Sequence, residues 1–140
     1  MRDIRFNAPL PWTPKPLYQW FVQAISGLRF TNRYGFSYCC DPPGVINLAV
    51  DMTGSEYIDA FPTLLEGMVH EARHADGTRH TCGNLDNTIA ELGASGVQYY
   101  VMLWLGEHSV GGLMSTDERA YCVNRAQNVR YYSFCHECGR

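Results

Sequence analysis

His70 and His74 stand four residues apart, with Glu71 directly after the first of them. On a helix, residues four apart share a face, so both imidazoles can reach a single ion. Neutral imidazole suits zinc, and a catalytic zinc keeps three protein ligands and leaves its fourth place to water. Zinc brings the pKa of that water down to about 7 and polarises a carbonyl. A carboxylate next to a ligand His is placed to take the proton and pass it to a leaving amine. These residue types at this spacing therefore point to hydrolysis of an amide bond, with Glu71 as general base. Leu64, Leu65, Met68, Val69 and Ala72 supply an apolar stripe that would anchor the helix in a core.

The stretch continues as His70-Glu71-Ala72-Arg73-His74-Ala75-Asp76-Gly77-Thr78-Arg79-His80, or H-E-x-x-H-x-x-G-x-x-H. It resembles the signature of the metzincin clan of zinc peptidases, within the wider zincin group. The resemblance implies that His70, His74 and His80 are the zinc ligands, that Glu71 is the base, and that Gly77 turns the chain so that His80 returns to the metal. A Cys soon after the third His (Cys82) and a downstream C-x-x-C (Cys135 and Cys138) are similar to archaemetzincins, although the spacings differ. Metzincins also place a Met beneath the zinc. The candidate is Met114, which competes with a plainer role as the apolar residue that staples the start of a helix capped by Ser115.

A rival third ligand lies downstream. Apolar spacing predicts a helix from about Asp86 to His108, apolar on most sides and thus central and buried. Ala90, Gly93, Ala94, Val97 and Val101 share one face, which implies close packing against another element. A narrow polar stripe remains at Asn87, Glu91, Ser95 and Gln98. Glu91, on the helix after the H-E-x-x-H helix, is similar to the third ligand of gluzincins such as thermolysin. It could instead hold a ligand His in orientation, or belong to a solvated stripe. The Gly-x-x-His spacing favours His80.

The elements that must position these residues follow from the same chain. Residues 1–16 hold four prolines and should be extended. A helix is expected over Leu17–Leu28, short strands within Phe30–Cys40, a turn at Asp41-Pro42-Pro43-Gly44, and a strand over Val45–Asp51 broken by Gly54. By analogy with zincins, this strand is expected to be the edge that binds extended substrate. The motif helix should run from Asp59, a plausible N-cap, to Asp76, with Pro62 in its first turn and Gly77 ending it. After a loop over 77–85 and the 86–108 helix, Gly111-Gly112 breaks the chain. Ser115-Thr116-Asp117-Glu118 is a capping box opening a third helix to about Arg130. Residues 131–140 form a Cys-rich tail. The expectation is a single α+β domain over 1–140, zincin-like, with an active-site helix, a buried second helix and a short sheet.

Composition narrows the function classes. A net charge of -3 and a single lysine, Lys15, argue against nucleic acid as a partner. No apolar run approaches the roughly 20 residues of a membrane span, and Met1-Arg2-Asp3-Ile4-Arg5 is not followed by a signal-peptide core. Six cysteines, at 39, 40, 82, 122, 135 and 138, lean towards disulfides and a secreted or extracytoplasmic setting. Cys39-Cys40 and Cys135-His136-Glu137-Cys138 also permit a structural zinc site, and Cys135-x-x-Cys138 a redox pair. Tyr99, Tyr100, Tyr121, Tyr131 and Tyr132 are candidates for oxyanion stabilisation, and His108 for capping a helix end. The expected function is a zinc metalloendopeptidase acting on a peptide or protein substrate through a zinc-activated water. The alternatives are a non-catalytic zinc-stabilised binding or structural module and a thiol redox protein.

Overall fold

A computed structural model of the chain describes residues 10–32, 38–49, 61–108, 112 and 114–136. The expected N-cap Asp59, the breaks at Gly54 and Gly111, most of the Pro-rich start, and Cys138 lie outside the described residues. The elements make an α+β protein, with four α-helices and one three-stranded sheet among the described residues. The chain divides into two compact units, Met1–Thr78 and Arg79–Arg140.

In the first unit, helix α1 (Leu17–Ala24) buries Leu17, Trp20 and Phe21, the i, i+3, i+4 stripe of an amphipathic helix. It does not extend to Leu28. Ile25 is already extended, and Gly27–Phe30 forms strand β1. Pairing with another strand gives these backbone groups partners that a longer helix would have to match, and a β-branched residue followed by Ser and Gly is a weak helical continuation.

Strand β2 (Tyr38–Cys39) and strand β3 (Val45–Leu48) complete the sheet, in the order β1-β3-β2. β1 runs parallel to β3, with Gly27 opposite Val45 and Phe30 opposite Leu48, and β2 is antiparallel to it. The strand expected at Val45 is therefore present, but it is not an edge. It is paired on both sides, and Ile46, Asn47 and Leu48 are buried. Asn47 is satisfied there: it accepts from Arg29 Nε at 2.7 Å and donates to the Asp41 carbonyl at 3.0 Å. The substrate-edge role cannot belong to a strand whose ladder groups are already used.

Helix α2 (Phe61–Ala75) carries the motif and packs against α1, β2 and β3. Leu65, Val69 and Ala72 are fully or almost fully buried, and Pro62 sits in the first turn as its missing N–H allows.

In the second unit, the helix expected over 86–108 is shorter. A single 3-10 turn spans Ile89–Glu91, Leu92 adopts a left-handed backbone with φ 52°, and helix α3 runs Ala94–Glu107. Asn87 and Glu91 therefore lie outside the helix, and Ser95 and Gln98 are buried, so the expected polar stripe does not exist. The cause is a better cap: the buried Asp86 carboxylate accepts from the Ser95 and Gly96 amides, at 2.8 and 3.2 Å. These are among the orphan donors of a helix starting at Ala94. The burial expected of this helix is otherwise seen, with Val97, Val101, Met102 and Leu105 at 0% exposure.

Helix α4 (Thr116–Tyr132) opens with the expected capping box. Ser115 N donates to Glu118 Oε2 at 2.6 Å, and Glu118 N donates to Ser115 Oγ at 3.2 Å. Those hydrogen bonds hold the Glu118 carboxyl below its ordinary pKa. α4 packs along α3, and Arg119 donates to the Gly106 and Glu107 carbonyls at the end of α3. His108 also caps that end, its Nδ1 3.0 Å from the Trp104 carbonyl. No helix among the described residues is long and apolar enough to cross a membrane.

Candidate metal centre

The end of α2 sets the geometry. Gly77 has φ 89°, a left-handed backbone that costs an L side chain roughly 1–2 kcal/mol. Around it, Thr78 N donates to the Arg73 carbonyl at 3.3 Å, and Gly77 N to the His74 carbonyl at 3.0 Å. This nested pair is a Schellman motif, the reversal that the Gly signalled. Asp76, just past the helix, is held from two sides: Trp20 Nε1 donates to it at 3.1 Å and Arg73 pairs with it at 2.8 Å.

The reversal brings His80 back. One candidate ligand atom from each of His70, His74 and His80 lies within 4.8 Å of the others, and all three residues are half-buried. The His70 and His74 rings are 4.9 Å apart, edge to face. Two rings are oriented by a second bond. His74 Nδ1 lies 2.9 Å from the Thr78 carbonyl, and His80 Nδ1 lies 2.8 Å from Asp86 Oδ1. A carbonyl can only accept and an ionised carboxylate only accepts, so in each ring the proton sits on Nδ1 and the Nε2 lone pair is left for a metal. This is the way metal-ligating histidines are commonly oriented. Three imidazoles whose ligand atoms lie this close, two of them oriented by hydrogen bonds, are a donor set that could hold a metal ion, and neutral imidazole is a ligand that suits zinc.

Glu71 is buried beside His70. Desolvation pushes its carboxyl up to about 7, against a hydrogen bond from the Cys39 backbone that works the other way. A carboxyl tuned near neutrality suits proton transfer at ordinary pH.

Glu91, the rival ligand, is not part of the His cluster. It is exposed on the 3-10 turn, where it accepts from Thr81 Oγ1 and from Asn87 N. The Thr81 hydroxyl, chiefly, holds its carboxyl below the ordinary pKa. The carboxylate that does orient a histidine of the cluster is Asp86, which apolar spacing marks only as the start of a helix. The one available signal was Gly93, since Gly is an acceptable N-cap and would have placed the helix start later.

The cysteines are paired differently from the C-x-x-C reading. Cys135 is bonded to Cys82, across 53 residues of sequence, and so is not free for a redox or zinc pair with Cys138. Cys39 and Cys40 are paired with each other, and Cys122 is buried and takes part in neither disulfide. Met114 sits directly before the Ser115 cap, the position of a helix staple. Tyr121, Tyr131 and Tyr132 are exposed on α4, while Tyr99 and Tyr100 are half-buried on α3. No protein-family model, no curated protein and no solved structure matches the chain.

Proposed function

We propose that the chain is a zinc-dependent metallopeptidase in which His70, His74 and His80 hold the ion and Glu71 is the general base. The observation that carries this reading is the meeting of three imidazole ligand atoms within 4.8 Å, with the Nδ1 atoms of His74 and His80 already engaged elsewhere. The adjacency of Glu71 to His70 and its carboxyl near pH 7 support the proton-transfer role. A zinc ion held by three ligands supplies Lewis acidity, which both polarises a peptide carbonyl and acidifies water.

The chain's own residues do the rest. His74 and His80 keep their Nε2 atoms aimed by donating Nδ1–H to Thr78 and Asp86. Glu71 receives the proton of the attacking water and delivers it to the departing amine nitrogen. The same carboxyl thus acts as base and then as acid, which a group titrating near neutrality can do.

The test is metal analysis beside a broad peptide-library digest, with Glu71→Gln as the key variant. Glu71→Gln keeps the three ligands and should bind zinc as the parent does while losing about 100- to 10,000-fold in hydrolysis. Full hydrolysis by the zinc-loaded variant would remove Glu71 from the mechanism. Tight zinc with no hydrolysis of any peptide by the parent would leave a zinc-stabilised binding or structural module.

A further inference from the structure

We propose that Asp86 is the positioning residue of the metal centre, and that through it the start of α3 sets the affinity of His80 for the ion. The proposal rests on the metal-centre reading above but not on peptide hydrolysis.

Asp86 is at 0% exposure, a cost for a carboxylate that must be met by hydrogen bonds. Its two oxygens are divided between two tasks. Oδ1 faces His80 Nδ1 at 2.8 Å. Oδ2 accepts from the Ser95 and Gly96 amides at the N-terminal end of α3, where the helix dipole favours a negative charge. The backbone of Asp86 is fixed as well: its N–H donates to the Ser133 carbonyl at 3.1 Å, and its carbonyl accepts from Cys135 N at 3.0 Å. The Cys82–Cys135 disulfide closes the same loop beside it.

Gly93 makes the arrangement fit. A Cβ at position 93 would fall on the Asp86 carboxylate, although the backbone there (φ -68°) suits any residue. A buried carboxylate held rigidly by a helix end can fix both the tautomer and the ring plane of a histidine. Thr78, a backbone carbonyl on a turn, does this for His74, but no charge is involved. Asp86 therefore contributes to metal binding without touching the metal.

The experiment measures zinc affinity by chelator competition for the parent, Asp86→Asn, His80→Ala and the double variant. Asn has one acceptor oxygen where Asp has two, so it cannot serve His80 and the α3 amides from separate oxygens. Asp86→Asn should weaken zinc 10- to 100-fold. In the His80→Ala background the same change should leave affinity within about 2-fold, because the effect travels through His80. An equal loss in both backgrounds would show a merely structural role and overturn the proposal. Should Asp86→Asn not fold, Gly93→Ala decides: it displaces the carboxylate without removing its charge and should also weaken zinc. Unchanged affinity in the folded variants overturns the proposal. A parent that binds no zinc overturns it together with the metal-centre reading. Affinity lost through His80 in a chain that hydrolyses no peptide supports Asp86 and sinks only the peptidase reading.

Discussion

His74 and His80 are held in the same way by two different kinds of structure. His74 stands on α2 and donates to Thr78, four residues on, in a reversal whose backbone hydrogen bonds lie within residues 72–78, with Trp20 as a distant donor to Asp76. His80 stands in a loop and donates to Asp86, which depends on the amides of α3, on the backbone at Ser133 and Cys135, and on a disulfide that spans 53 residues. The first support is local and folds with its helix. The second is assembled from segments far apart in sequence. In the proposed centre the His70–His74 half is therefore the more robust, and His80 is where the rest of the chain can weaken it.

The largest effect expected from breaking this contrast is the loss of His80 itself. His80→Ala should weaken zinc by more than the roughly 100-fold upper end expected for an outer partner. Circular dichroism should at the same time show α2 intact.

Next comes the disulfide. Replacing Cys82 and Cys135 by Ser removes a cross-link across 53 residues. In the chain-entropy description this destabilises by about 4 kcal/mol at most. Thermal unfolding should show that loss, and zinc titration should show weakened binding through His80. Unchanged zinc affinity in the still folded double-Ser variant would mean that the pairing of Asp86 with Phe134 suffices to hold the loop.

On the local side, Glu71 provides a pH test in the metal-free protein. Its folded pKa of about 7 lies above the ordinary 4.5, so the folded state keeps a proton that the unfolded chain releases. Stability should therefore fall as pH rises from about 4.5 to 7 and level off above, by about 3 kcal/mol at the extreme. Glu71→Gln should flatten that slope in chelator-treated protein. A slope that persists in the variant would place its source elsewhere.

The smallest effect should come from Glu91→Ala. Glu91 serves exposed contacts to Thr81, Asn87 and the Thr88 backbone, so stability should move within about 0.5 kcal/mol and zinc affinity hardly at all. A loss that matches His80→Ala would exchange their roles.

The same division governs what could be read from the sequence. The motif helix, its Pro62 start, the Gly77 reversal, the Val45 strand and the Ser115–Glu118 box are all local patterns, and each is present. Where the structure differs from the sequence expectation, distant partners decide. Apolar periodicity ran through 86–93 because it could not register that the Ser95 and Gly96 amides find their acceptor in Asp86. It carried α1 past Ala24 because it could not register that residues 27–30 pair with β3. Neither the Cys82–Cys135 pairing nor the central place of β3 has a local pattern to announce it.

The divided carboxylate of Asp86 also gives the molecule a built-in indicator. Electron density drawn towards His80 is density withheld from the Ser95 and Gly96 amides, since one delocalised group serves both. Those two amide protons should therefore change their chemical shift and their exchange with solvent when His80 takes up a cation. Loading of the centre could then be followed from the backbone of α3, with no probe attached and no substrate known.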